Sequence, residues 1–428
     1  MASYRPGPWP GEDGGASRPQ FATMDSDRDA TTFAVPPGGG ITVTPRFAPV
    51  AQMAVTRDEG ELFLLLTTPD PAGPIPYVER IDPVSLEPLA TSVHLPTGPN
   101  WPGSIAAHAN GSLYVVANNH AHRLEVDLGV SATTRLPRNR PYNGLVILDD
   151  GHLVTKDFAG SRPDLIVPEA DREPCELVVL EPDTLEIVAR CTLSEPSIAR
   201  LSALDNDLYV VGDTSLLKVH WDGQNLTEDR TFVAPYRTMD GQTYGWDCTL
   251  ALGAAWFLDN GDGSHAYTGT MRGHGVSTAP LHLVRVDLET AGVTLTEVCG
   301  RANGLIANPP LVDPRRRIAV AYDSGNGIMS AFDIAGDGSL SLRWTREQNH
   351  AAHLLLFPES GQVLSEDHDA EAMAEEVVIL DIATGAELAR APSGSLFQSP
   401  VFPTLGFSGD AYLCSMVNIC RIEPTPAA

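Results

Sequence analysis

Residues 175–191 read CELVVLEPDTLEIVARC, and this stretch decides the architecture. ELVVLE has strand length and β-forming side chains, EPDTLE is a turn built on Pro and Asp, and LEIVARC is a second strand. The same strand–turn–strand unit recurs around DPVSLE, DLETAG, DIAGDG and DIATGA. Working upstream from Cys175, two more strand-length runs, GLVIL and HLVTKD, meet at the tight turn LDDG. ELFLLLTT, SLYVVAN, DLYVVGD, IAVAYD, EVVILDI and AYLCSM are further runs of the same kind. The only helix-like stretch is DAEAMAEE at 369–376.

Four strands in a fixed order, repeating every 40–58 residues or so, is the signature of a β-propeller. Blade lead-ins fall near Ala51, Ser104, Gly144, Ala199, Cys248, Gly304, Ala351 and Ser399. They give an all-β propeller of about eight four-stranded blades, or seven if two lead-ins share one elongated blade. The last unit supplies three strands (SPVFPTL, AYLCSM and ICRIE), and ITVTP at 41–45 is free to supply the fourth. An N-terminal strand joining the C-terminal blade would close the ring and remove its open edges. Residues 41–428 therefore read as one propeller domain. Residues 1–40, rich in Pro, Gly, Asp and Ser, read as a flexible arm ahead of it.

Composition narrows the function classes. The formal net charge of -27 repels phosphate backbones and so argues against nucleic acid as a partner. No run reaches the roughly 18 apolar residues of a membrane span, and MASYRPGPWP has no secretory apolar core, so the expectation is a cytoplasmic protein. The six cysteines show no zinc-type spacing. Cys175/Cys191 and Cys414/Cys420 flank hairpins and could face each other, although a reducing compartment would keep them as thiols.

Strand order also sorts residues by face. In an up-and-down blade the turns joining strands one to two and three to four open on one face. The two-to-three turn and the link to the next blade open on the other. The first face, here the turn face, receives RDEG, ANGS, LDDG and PESG. The second, the loop face, receives TTPDPAGPIP, DFAGSRPDLIVPEADREP and DNGDGSHAYTGTMRGHGVSTAPLH. Its lead-ins include Trp101, Asn143, Trp246, Asp247, Asn303, His350 and Gln398. Its strand-two exits include Asn118, Asn119, His120, Asp157, Asp213, Asp259, Asn260, Asp323 and Asp367. Long loops gathered on one face locate function there. The competing reading of each exit Asp is structural, a turn cap that satisfies backbone donors. DNGDGS lacks the acidic spacing and terminal Glu of an EF-hand loop and reads as a turn.

Two segments carry a resemblance. RANGLIANPPLVDPRRRIAVAYDSGNGIMSAFDI, residues 301–334, and YNGLVILDDGHLVTKDF, residues 142–158, are similar to the calcium-dependent propellers that include gluconolactonases, senescence-marker-type lactonases and strictosidine-synthase-like proteins. The resemblance implies that Asn303 and Asn143 ligate a central Ca2+ or other divalent cation, with Asp247 as a further ligand and base. Eight blades would also resemble the quinoprotein dehydrogenase fold, but its repeated Trp motifs and adjacent Cys pair are absent here.

Three functions follow as expectations. The first is a small-molecule enzyme at the channel mouth, performing metal-assisted lactone or ester hydrolysis. Its metal ligands would be Asn143, Asn303 and Asp247, and its catalytic groups Asp247, Asp323, Asp367 and His350. The second is a metal-free isomerase, lyase or cyclase using the same pocket. The third is a scaffold that binds a protein partner, with exposed apolar side chains around a shallow mouth.

Overall fold

A computed structural model describes residues 3–22, 33–68 and 74–427. Its strands form eight antiparallel sheets in a ring, an eight-bladed propeller. Blades 1 to 7 span residues 51–91, 104–135, 142–192, 202–235, 249–297, 311–347 and 355–392, each innermost strand first, and blade 4 adds a short fifth strand at Ala234–Pro235. Blade 8 takes Pro403–Leu405, Ala411–Cys414 and Asn418–Thr425 from the C-terminus and its outer strand, Gly40–Phe47, from the N-terminus. That strand pairs in register from Gly40 opposite Thr425 to Phe47 opposite Asn418, which closes the ring.

The core lies between the blades. Second strands such as Leu62–Thr68 and Ile318–Asp323 are buried along almost their whole length, because each face packs on a neighbouring blade. Outer strands alternate, as in Ile187–Thr192, where only every second residue is half-covered. The helix-like stretch 369–376 is no helix. It ends the strand Gln362–Asp369, turns at Met373 with φ of 51°, and starts the strand Ala374–Asp381. Pairing to both neighbouring strands overrides the helical propensity of its Ala and Glu residues. No helix among the described residues is long and apolar enough to cross a membrane. Cys191 stands opposite Leu177 and Cys414 opposite Ile419, so neither cysteine pair is in direct register. All six cysteines are free.

Residues 3–22, expected outside the domain, lie inside it. They form a plug that follows the innermost strands around the axis, bonding their turn-face ends. Trp9 O accepts from Thr56 N at 2.9 Å, Pro10 O from Ala107 N at 2.7 Å and Ala16 O from Ala203 N at 2.7 Å. Ser17 O and Gln20 O take Leu250 N and Leu356 N, at 2.9 and 2.8 Å. The Trp9 ring is buried in the core shared by blades 7 and 8. Residues 3–22 hold no strand of their own, and many of their backbone groups are satisfied by the innermost strands. Of the arm expected at 1–40, residues 1, 2 and 23–32 lie outside the described residues.

Candidate functional site

The plug carries its charges to the middle of the channel. Arg18, fully buried, is paired with Glu12 and lies 2.8 Å from Asp13 Oδ2 and 3.7 Å from Asp247 Oδ2. Arg200 reaches Glu12 Oε1 at 3.0 Å and stands 3.9 Å from the same Asp247 oxygen. His353 Nδ1 is 2.9 Å from Asp13 Oδ1, and its ring stacks on Phe402 at 3.9 Å. Burial raises the Asp13 carboxyl, but His353 and Arg18 outweigh it and hold the group below the usual carboxylate range. Burial likewise lowers Arg18, and the carboxylates of Glu12, Asp247 and Asp13 reverse the shift. Above this cluster Trp101 stacks on Phe158 at 4.4 Å and faces Trp246 at 6.5 Å, near the loop face.

The residues expected to hold calcium have different surroundings, although Asn143 Oδ1 and Asp247 Oδ2 are both buried without a hydrogen-bond partner among the described residues. Asp247 Oδ1 accepts Arg200 N–H at 2.6 Å, and its other oxygen faces two guanidinium groups. Asn143 is buried with Nδ2 donating to Ile198 O at 2.8 Å. Asn303 is exposed at φ of 60°, with its N–H bonded to Ser277 O at 2.7 Å. A dication beside Asp247 would meet the charges of Arg18 and Arg200, so this donor set does not fit one. Among the described residues no three His, Cys, Asp or Glu side chains form a metal-type group.

Four of the five exit aspartates behave as caps, whereas Asp213 pairs with Arg172 at 2.8 Å and burial raises its carboxyl to about 7. Asp157 Oδ1 accepts Glu176 N at 2.5 Å, and Asp259 Oδ1 accepts His282 N at 2.6 Å. Asp323 Oδ1 takes Leu305 N at 3.1 Å and Asn326 N at 3.0 Å, while Oδ2 takes Asn326 Nδ2 at 2.8 Å. Asp367 accepts Asn349 N at 2.8 Å and Arg390 Nη2 at 3.0 Å. These bonds fasten the end of strand two to strand three, to the outer strand or to the blade's own lead-in. Asp323 and Asp367 have their oxygens so engaged. His350 packs edge-on to Tyr322 at 4.5 Å, and burial drops its ring to about 3, so it is neutral.

A second buried group had no counterpart among the sequence candidates. On blade 7 Glu366 stands opposite Val377, and His368 opposite Glu375. Glu366 and Glu375 are therefore diagonal neighbours on the face turned to blade 8. Each carboxylate is held by one oxygen. Glu366 Oε1 accepts the N–H of Ala351 and, at 3.1 Å, of Ala352. Glu375 Oε2 accepts the hydroxyls of Ser393 and Ser399, both at 2.9 Å. Glu366 Oε2 and Glu375 Oε1 are buried with no partner among the described residues. Burial first, and for Glu366 also the charge of Glu375, raises both groups, with Glu375 pushed up to about 7.

The insertion at 259–281 roofs this pair. Tyr267 Oη donates to Gln398 O at 2.5 Å, and Met271 N donates to Gln398 Oε1 at 2.6 Å. Gly273 N reaches Gly325 O at 3.0 Å. One loop thus bridges from blade 5 across blade 6 to the lead-in of blade 8. Of the blade 1 loop TTPDPAGPIP, residues 69–73 lie outside the described residues.

No family model and no curated protein sequence matches the chain. Solved structures match in fold. The chain is similar to a quinohemoprotein alcohol dehydrogenase from Comamonas testosteroni, with a TM-score of 0.62 and 12% identity over 100% of this chain and 82% of that one. It is also similar to the quinohemoprotein alcohol dehydrogenase ADHIIG of Pseudomonas putida HK5, with a TM-score of 0.61 and 10% identity over 99% and 82%. The Dos1 propeller aligns with a TM-score of 0.57 and 11% identity over 91% and 95%. At such identities the likeness concerns the propeller fold alone.

Proposed function

We propose that the chain is a small-molecule enzyme working by metal-independent proton transfer, with Glu366 and Glu375 as its acid/base pair beneath the 259–281 insertion. The observation that carries this reading is the division of each carboxylate into a held oxygen and a free one. Two carboxyl groups on one buried face do not both ionise, so one keeps a proton to donate while the other accepts. Fixing one oxygen of each sets the direction of the other, which positioned proton transfer requires. Substrates of this chemistry carry an acidic C–H beside a carbonyl, and isomerisation or elimination follows proton removal. Lactone or ester opening by a base-activated water is the hydrolytic version of the same pair.

The test is proton NMR in D2O on small hydroxy acids, keto acids and lactones mixed with the full chain. Exchange or ring opening is expected for at least one substrate, unchanged by chelator and reduced more than 100-fold in Glu375→Gln, a loss of about 3 kcal/mol or more of transition-state stabilisation. Turnover that is abolished by chelator, or untouched in both Glu366→Gln and Glu375→Gln, would sink the idea.

A second reading has its own observation. Leu165, Ile166, Met239, Val276 and Leu396 are exposed on loop-face loops, at 48, 60, 40, 55 and 56%. Apolar side chains around a filled channel mouth suit a protein partner. Under this reading Ile166→Glu and Leu396→Glu weaken capture of a partner and leave the turnover of small substrates alone.

A further inference from the structure

The blade 2 strand His120–Leu124 begins His-Ala-His, and strand alternation puts His120 and His122 on one face. Their rings are nearly parallel, 16° apart in plane and 6.1 Å between centroids. The His122 ring is buried and anchored from behind, its Nδ1 3.1 Å from Thr133 Oγ1. Its Nε2 is buried with no partner among the described residues, and so is His120 Nδ1. A ring nitrogen is rarely left buried and unanswered, and here two of them share one face.

We propose that His120 and His122 form a site for a divalent transition-metal ion, held by two imidazole nitrogens with water in the remaining positions. Imidazole is the ligand these ions select, and it binds as the neutral ring. Both positions favour that ring form, His122 being fully buried and His120 half-buried on the strand. Thr133 supplies the outer contact that a ligating histidine uses to fix its tautomer: Nδ1–H donates to the hydroxyl, leaving the Nε2 lone pair for the ion. Metal–nitrogen bonds of about 2.0–2.1 Å require the two nitrogens to converge. Rotation of the His120 ring, which is only half-buried, supplies that movement and the way in from solvent. No third His, Cys, Asp or Glu joins them among the described residues, so the site is open. An open two-nitrogen site ranks ions by intrinsic affinity, and Cu2+ should bind more tightly than Zn2+.

The experiment is titration of the chelator-dialysed full chain with CuCl2, and separately with ZnCl2, followed by calorimetry and by electron paramagnetic resonance of the Cu2+ complex. One Cu2+ per chain is expected, with hyperfine structure from two nitrogens. Binding should weaken at least 10-fold in His120→Gln and in His122→Gln, and persist in a His265→Gln/His274→Gln control. Should His122→Gln fail to fold, His120→Gln at its half-exposed position still decides the matter. Absence of saturable binding, or an affinity unchanged in His120→Gln, overturns the site.

Discussion

Two of the buried groups of carboxylates in this molecule are solved in opposite ways. On the axis, Glu12, Asp13 and Asp247 are answered by Arg18, Arg200 and His353. Between blades 7 and 8, Glu366 and Glu375 are answered by N–H and hydroxyl donors on one oxygen each, and by no cation. Burying charge is costly in both places, but only the axial group recovers the cost through opposite charge. The axial group is therefore a latch that holds the plug. The blade 7 pair is left chemically unfinished, and that is the condition in which a proton-transfer site is useful.

The comparison is broken most severely at Arg18. Arg18→Ala leaves three carboxylates around a space that held their shared cation, and the loss should be about 3–5 kcal/mol, the range for removing one partner of a buried pair. Urea unfolding measures it. Arg18→Met, of similar length but uncharged, should lose a comparable amount, because the defect is uncompensated charge rather than lost volume. A loss below 1 kcal/mol in both variants would mean that the carboxylates simply protonate and that the latch is weak.

The pair on blade 7 sharpens the contrast through pH. Glu375 is raised to about 7 in the folded chain against an ordinary value of 4.5. Between these values the folded state binds the extra proton, so its stabilising effect is complete below the ordinary value and is lost as pH rises through 7. Glu375→Gln mimics the protonated form at every pH. It should leave stability unchanged near pH 5 and raise it above pH 8, by up to ~3 kcal/mol from the size of the shift. Melting temperatures of the two chains at pH 5, 7 and 8.5 decide it. The Asp13 carboxyl has the opposite sign: being depressed, its contribution is present above the ordinary carboxylate value and fades as pH falls below it.

The propeller was legible because its signals are local. Turn chemistry and strand periodicity repeat every few residues, and counting strands even anticipated the closing pair of Gly40–Phe47 with Asn418–Thr425. The face assignment followed from strand order alone. The plug was not legible, because GPWPGEDGGASRP has no periodicity and its burial depends on partners such as Arg200, 188 residues from Glu12. The calcium reading meets a related difficulty. Asn-Gly lead-ins look alike in sequence, yet Asn143 is buried beside Ile198 and Asn303 is exposed. Glu375 was hidden by the helical look of DAEAMAEE. Glu366 sits just before the exit Asp367, in the inward row with Leu364, and a carboxylate in an apolar row is the missed signal.

The smallest effect tests whether the exit aspartates belong with the latch or with the reactive pair. Asp323 was a catalytic candidate, but both its oxygens are occupied, Oδ1 by Leu305 and Asn326 N–H and Oδ2 by Asn326 Nδ2 and the Cys299 thiol. Asp323→Asn keeps an acceptor for the backbone donors and turns the other atom into a donor facing the Asn326 amide. The mismatch should cost about 1–2 kcal/mol, the usual range for one unsatisfied buried hydrogen-bonding group. Melting temperature should fall by a few degrees equally at pH 5 and pH 8.5, with turnover of any substrate found for the wild type unchanged. Lost turnover with stability intact would move Asp323 out of the structural group. It would also mean that a carboxylate with every oxygen engaged can still be a working one, and the contrast between answered and unanswered carboxylates would no longer locate the site.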